Sequence, residues 1–176
     1  MIIVVMGVTG SGKTTLGKAI ADKLHLPFYD ADDFHPEQNR AKLKANIALD
    51  DADRLPWLEI LAENLAHWER SGGAVLACSA LKEAYRDLLG SGTAGLLLVY
   101  IKGDKQQVAQ RLTHRAVKGH ELIQHFSEIL DGQFRDLEEP QDAIVVSIQW
   151  SVNEAASCVV DRLTRLNGPG NVTRTQ

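Results

Sequence analysis

Gly7-Val8-Thr9-Gly10-Ser11-Gly12-Lys13-Thr14 matches the pattern G-x-x-x-x-G-K-[ST] in full. The residue types answer a definite chemical need. A polyphosphate carries several charged oxygens and must be met by many donors with little steric obstruction. Glycines let the backbone bring its N–H groups close to such oxygens. A helix starting at the end of the loop adds unpaired N–H groups and the positive end of its dipole. Lys13 would reach the β- and γ-phosphates, and the Thr14 hydroxyl would ligate Mg²⁺. Gly7 to Thr14, with Thr15 beside them, are therefore the expected seat of ATP.

A second set of candidates is acidic. Asp30 and Asp32 close a short apolar run, Leu26 to Asp30. Alternate residues of a strand point the same way, so both carboxylates are expected to face the phosphate loop. One would hold Mg²⁺ through water. The other would take the proton of an attacking hydroxyl and orient it in line with the γ-phosphate. Asp33 is suited to capping the next helix.

The third set is basic. Lys82 and Arg86 lie four apart, on one helix face, and Arg54 opens the longest helix. Together they could grip an anionic substrate, an arginine holding a carboxylate bidentately. Arg111 and Arg115 are again four apart, late in a helix. They could stack on adenine or neutralise the transferred phosphoryl group. Lys118 and His120 begin a polar segment, 116–140, that reads as a lid closing over the nucleotide and excluding water.

Other residues are set aside. His114, His120 and His125 have no cysteine near them and no third-ligand spacing, so no metal site is expected there. Trp57 and Trp68 read as core, and Cys78 as packing rather than nucleophile. The third apolar run ends in Cys78-Ser79 without the acidic residue of a motor or switch ATPase, and no [NT]-K-x-D guanine-reading motif occurs. Both gaps argue against a GTPase switch.

These residues need a frame to position them. Ile2–Met6, Leu26–Asp30, Ala74–Cys78, Leu96–Ile101 and Ala143–Ile148 are short apolar runs, as expected of strands buried on both faces. Between them lie helical patterns. Leu16, Ile20 and Leu24 share a face, a helix is read over Pro36–Asn46, and a polar loop Asp50–Asp53 precedes the stripe Leu58, Leu61, Leu65 and Trp68, which Gly72-Gly73 ends. Further helices follow through Tyr85 to Leu89, over Lys105–Arg115 and over Val152–Leu166. The alternation predicts a P-loop NTPase fold: an α/β, doubly wound, five-stranded parallel sheet flanked by helices, with a lid. Residues 1–166 are expected to form one domain and 167–176 a disordered tail. Ligands in such sheets bind at the carboxyl ends of the strands, where every residue singled out above falls.

The totals narrow the class. A formal charge of −4 gives no electrostatic case for nucleic acid. No stretch approaches the ~20 apolar residues of a membrane span, and no signal peptide is recognised. Two cysteines fit a reduced, cytoplasmic setting.

GVTGSGKTT, DADDFHP, DDADRLPWL, ACSALKEAYRDLL, YIKGD, KGH and QFRDLEEP occur here in that order. Together they resemble the bacterial-type gluconokinases, small kinases of the shikimate kinase-like branch of P-loop proteins. The resemblance covers most of residues 2–147. It implies transfer of the ATP γ-phosphoryl to the 6-hydroxyl of D-gluconate with Mg²⁺, by a cytoplasmic homodimer that feeds the pentose phosphate or Entner–Doudoroff routes. It implies Asp32 as the base-like residue and Asp30 as the metal partner. Lys82, Arg86, Arg54, His35 and Asp32 would meet the sugar acid, and Lys13 with a lid arginine, Arg115, the transferring group. Arg111 is assigned to ATP. The lid departs from the family pattern: Lys118-Gly119-His120 is followed by Glu121, and a His-Phe pair comes later at His125-Phe126. Which of Arg115, Lys118, His120 and His125 contacts ATP is therefore left open. The rival readings are a kinase of this fold for another sugar acid or a shikimate-like acceptor, a nucleoside monophosphate kinase, and a nucleotide-binding switch or interaction module.

Overall fold

The computed structural model describes residues 1–115 and 120–166, with side chains described for all of these except 114, 115, 120–126 and 166. The tail 167–176, and with it the expectation of disorder, lies outside the described residues. So do Lys118 and the side chains of Arg115, His120 and His125.

Five strands, β1 (Ile2–Met6), β2 (Phe28–Asp30), β3 (Ala74–Ala77), β4 (Leu96–Lys102) and β5 (Ala143–Ser147), form one sheet. Its order is β2-β3-β1-β4-β5, and every pairing is parallel. The helices are α1 (Lys13–Leu24), α2 (Glu37–Lys44), α3 (Asp51–Arg70), α4 (Glu83–Gly90), α5 (Lys105–Arg115), α6 (His120–Asp136) and α7 (Val152–Leu166). The expected doubly wound sheet is present.

β1 is the middle strand, and all its residues are buried. Its alternation divides the core in two. Ile3 and Val5 pack with Leu16 and Ile20 of α1, Val108 of α5 and Ala156 and Val159 of α7. Ile2, Val4 and Met6 pack on the other face with Trp57, Leu61 and Leu65 of α3 and Leu89 of α4. The period of two thus explains why a wholly apolar run is needed: each side chain has its own layer of helix to meet.

α3 shows how local signals fix an element's ends. Asp50 accepts from the Asp53 N–H at 2.8 Å while the Asp53 carboxylate accepts from the Asp50 N–H at 3.2 Å, a reciprocal capping box. The segment read as a polar loop, Asp50–Asp53, is therefore the cap and first turn of the helix. At the other end the Gly73 N–H donates to the Trp68 carbonyl at 2.8 Å and the Gly72 N–H to Glu69 at 3.3 Å. Both glycines have positive φ, 112° and 114°, and this closing motif requires it of Gly72, the first residue past the cap. The stripe Leu58, Leu61, Leu65 and Trp68 is buried as expected. Trp68 stacks on Tyr29 at 3.8 Å, which seats the edge strand β2 on α3.

Within the polar segment 116–140, residues 120–136 form α6. One expectation is corrected. Asp33 does not cap a helix. Asp30 caps the short 3₁₀ turn Ala31–Phe34, and α2 begins after Pro36, whose fixed φ suits that place.

Gly73 supports a stability prediction. A Cβ there would lie 2.3 Å from the Met1 carbonyl oxygen at a φ of 114°. Gly73→Ala is expected to destabilise the chain by about 1–3 kcal/mol and to lower Tm by roughly 3–10 °C, read by thermal unfolding with the exposed Gly95→Ala as control.

Candidate active site

The turn from β1 into α1 is built on three left-handed glycines. Gly7, Gly10 and Gly12 have φ of 144°, 75° and 104°, and Gly12 itself caps α1. A residue with a Cβ is strained in these conformations. The Gly7 N–H donates to Ser79 O at 3.4 Å, which ties the loop's start to the end of β3. The side chain of Lys13 donates to the Val8 carbonyl at 3.0 Å, across the loop it follows. Burial lowers its pKa from the ordinary lysine value, with Cys78, Asp32 and Asp30 opposing that fall. Ser11 is 1% exposed, and its hydroxyl has no hydrogen-bond partner among the described residues.

A cavity opens directly over this loop. Its walls are Thr9, Gly10, Gly12, Lys13, Thr14 and Thr15 from the loop and α1, Asp30 and Asp32 from the end of β2, Ala77 to Ser79 from the end of β3, and Gln133 from α6. The phosphate loop and the acidic pair thus share one space at the carboxyl edge of the sheet. The two carboxylates are presented differently, and not by strand alternation. Asp30 ends β2, accepts the Thr14 hydroxyl at 2.8 Å and accepts the Asp32 N–H at 3.2 Å. Asp32 sits on the 3₁₀ turn with its side chain 87% exposed to the cleft. The cleft walls first and the Asp30 charge second push its carboxyl above the usual carboxylate range, with His35 and Lys13 opposing. Water in the open cleft tempers that shift.

His35 lies behind Asp32. Its side chain is 7% exposed, its Nε2 is 3.7 Å from Asp32 Oδ1, and its ring stacks on Trp57 at 4.3 Å. Burial holds its pKa below the ordinary histidine value. Trp57 is core, as expected, but its indole N–H also donates to the Ala31 carbonyl at 2.8 Å and so pins the residue between the two aspartates.

The basic residues expected to grip an anion are already engaged. Lys82 donates to both oxygens of Asp51, at 2.8 and 3.0 Å. Tyr85 donates its hydroxyl to the same carboxylate and accepts from Arg54 at 3.1 Å. Arg54 also lies 3.8 Å from Asp136 of α6. Arg86 is buried, and its NH1 donates to the carbonyls of Ala80 and Leu81 at 3.0 and 2.9 Å. Ala80 has a φ of 44°, so Arg86 braces a strained loop rather than standing free beside Lys82. Arg111 donates to Ser11 O at 3.1 Å and to the Ile148 carbonyl, which clips the phosphate loop to the end of β5.

Gln133 went unassigned in the sequence. Its Oε1 accepts the Thr9 N–H at 2.5 Å, so α6 touches the phosphate loop directly. Its neighbourhood QFRDLEEP carried the family resemblance, but a glutamine in a polar helix gives no local sign of its contact. The end of the same motif braces α4: the Glu138 carboxylate accepts the Glu83 N–H at 2.5 Å, and the Glu138 N–H donates to Leu81 O at 2.9 Å.

The shikimate kinase family model matches residues 9–149. A probable gluconokinase of Mus musculus is 40% identical, over 92% of this chain and 97% of its own length. The thermoresistant gluconokinase of Escherichia coli K12 is 36% identical over 91% of each chain. The chain belongs to the gluconokinase family. The crystal structure of a gluconokinase from Sinorhizobium meliloti superposes with a TM-score of 0.82, at 37% identity, over 93% of this chain and 91% of that one. The family's shared fold thus runs through the whole cleft described above, from phosphate loop to β5.

Two measurements probe this geometry. Removing the Thr9 contact with Gln133→Ala is expected to raise the KM for ATP about three- to tenfold, the scale of one lost hydrogen bond, with little change in Tm. Burial raises the Cys78 thiol to about 12, while Cys158 is half-buried. A thiol reagent at pH 8 is therefore expected to label Cys158 readily and Cys78 not until the chain unfolds.

Proposed function

We propose that this chain is an ATP-dependent gluconate kinase that transfers the γ-phosphoryl of ATP to the 6-hydroxyl of D-gluconate, giving ADP and 6-phospho-D-gluconate. The observation that carries the reading is one cleft holding a phosphate loop and two carboxylates in different settings, in a chain of the gluconokinase family.

The backbone N–H groups of Gly10 and of Gly12 to Thr15, with the Lys13 ammonium, hold the β- and γ-phosphates. Asp32 accepts the proton of the acceptor hydroxyl as its oxygen forms the new bond to phosphorus. The bond from phosphorus to the bridging oxygen breaks, and that oxygen leaves on ADP. Lys13 and Arg115 neutralise charge on the transferring group. Lys118, His120 and His125 are the alternatives for the lid contact, all outside the described side chains. Arg111 belongs to the ATP side through its grip on the loop.

Thr14 and Asp30 suit Mg²⁺. Both offer hard oxygen donors, their oxygens are 2.8 Å apart on the cavity wall, and a cation that keeps several waters asks for one or two such protein groups. When bound, Mg²⁺ would offset polyphosphate charge. Lys82 and Arg54 are assigned to the carboxylate end of the acceptor and Asp32 to its hydroxyl end, with Arg86 bracing the loop beside Lys82 and His35 standing behind Asp32. Cytoplasmic work as a homodimer, in pentose phosphate or Entner–Doudoroff metabolism, is carried over from the family resemblance. Sedimentation of the purified chain measures the dimer.

The test is ADP release with Mg-ATP, coupled to NADH oxidation, with gluconate, other aldonates, shikimate and AMP as acceptors. Fast turnover with gluconate alone is expected. Turnover with another acceptor keeps the phosphate chemistry and removes the substrate assignment. No stimulation by any acceptor favours a nucleotide-binding switch. Asp32→Asn is expected to lower kcat by roughly 10²–10⁴ with the KM for ATP nearly unchanged. Lys82→Ala is expected to raise the KM for gluconate about tenfold or more, and that for ATP little.

A further inference from the structure

Asn39 is a buried polar residue of α2, 4% exposed, and nothing in the phosphate chemistry uses it. Its Nδ2 donates to the backbone carbonyl of Asp53 in α3 at 2.8 Å. That contact fixes the orientation of the amide, since the reversed amide would set its oxygen against the carbonyl oxygen. The same Nδ2 lies 3.4 Å from Nδ1 of His35, and its second N–H is the one available in that direction. A donor facing Nδ1 requires Nδ1 to be the bare nitrogen. The ring proton of the uncharged imidazole is then on Nε2. Nε2 is the atom that faces Asp32, 3.7 Å from Oδ1. Trp57 stacks on the ring at an interplanar angle of 16° and keeps it in this plane.

We propose that Asn39 and His35 form a relay that turns an Nε2–H toward Asp32 Oδ1 and so positions the carboxylate that receives the acceptor's proton. The proposal rests on the reading of Asp32 given above and adds to it how an exposed carboxylate keeps its aim. His35 is a positioning residue: it acts through Asp32. The contact stands at 3.7 Å, beyond hydrogen-bond length, and an Asp32 side chain 87% exposed is free to rotate by the small amount that closes it. The relay holds one oxygen and leaves the other to the acceptor hydroxyl. It also explains the burial of His35 between α3 and the 3₁₀ turn, where direct contact with a sugar acid would need the ring to leave Trp57. The charged groups around the ring are Asp32 on its own turn, Arg40 on α2 and Arg54 on α3.

Two independent readouts test the relay on the full chain. In the first, the chain labelled with ¹⁵N-histidine is observed by long-range ¹H–¹⁵N NMR near neutral pH. His35 is expected as the Nε2–H tautomer, and in Asn39→Ala as a mixture. An Nδ1–H tautomer in the wild type, or an unchanged tautomer in Asn39→Ala, would overturn the relay. In the second, kcat and the KM values are measured for His35→Gln, whose amide reaches the place of Nε2, and for His35→Asn, whose amide reaches the place of Nδ1. His35→Asn is expected to lose about five- to twentyfold in kcat with the KM for ATP within about twofold, and His35→Gln to recover most of that loss. Equal losses in the two variants would sink the proposal, because a merely structural role does not distinguish the two nitrogens. If both variants fail to fold, the NMR arm decides. If gluconate is not turned over at all, the catalytic reading fails while the tautomer result still stands or falls by itself.

Discussion

The constraint on which this structure depends is that main-chain N–H groups must stay uncovered at the end of a fully buried strand. β1 has no exposed residue, yet it must deliver its chain to an open anion site within a few residues. Regular backbone would satisfy its own donors or screen them with side chains. Three positive-φ glycines remove both obstacles, and α1 begins at the last of them, so its free N–H groups point back at the same place. The rest of the site is built as bracing for this turn. Ser79 holds it from β3, Arg111 from α5 and Gln133 from α6. Ser79 and Gln133 take the N–H groups of Gly7 and Thr9 and Arg111 the Ser11 carbonyl, so the donors left for a ligand are that of Gly10 and those from Gly12 into α1.

The acidic pair shows how one dipeptide spacing yields two kinds of carboxylate. Asp30 is bound on both oxygens, by the Thr14 hydroxyl and the Asp32 N–H. It is held rigidly toward the loop, which suits the metal role proposed for it. Asp32 stands out in the cleft, with its carboxyl raised by its surroundings. A raised carboxyl is a better proton acceptor once ionised, and an exposed one can meet a hydroxyl. Environment separates the roles proposed for them, as in other paired-carboxylate sites.

Much of this was legible in the sequence, for identifiable reasons. The phosphate loop is a covalent pattern read residue by residue. The closing helix Val152–Leu166 agrees with its expected bounds because apolar spacing and chain punctuation coincide there. The sheet followed from five apolar runs, since a parallel strand buried on both faces has no polar alternation to obscure it. α6 was read only as a polar lid segment because its mixed charges drew the reading, although Leu122, Phe126, Ile129, Leu130 and Phe134 recur at helical spacing within it. The Asp50–Asp53 cap was read as loop because capping residues and loop residues are the same types. Arg86 illustrates a further limit. Spacing places it on the face of Lys82, but no spacing shows that two carbonyls of a strained loop will take its guanidinium.

The acceptor side bears most directly on specificity. Lys82, Arg54 and Tyr85 are gathered around Asp51, so the cations a sugar acid would meet are already partly neutralised within the protein. Binding an acid there exchanges one carboxylate partner for another or shares the cations between two, and the net electrostatic gain is correspondingly small. Discrimination must then come from geometry: an acceptor is favoured if its carboxylate reaches Lys82 while its far hydroxyl reaches Asp32. The cluster and Asp32, the carboxylate proposed to receive the proton, are joined through α3, which carries Asp51, Arg54 and Trp57 within two turns and stacks Trp57 on His35. The span between charge and hydroxyl is therefore set by a single rigid helix, so acceptor length is the property this arrangement is best able to measure.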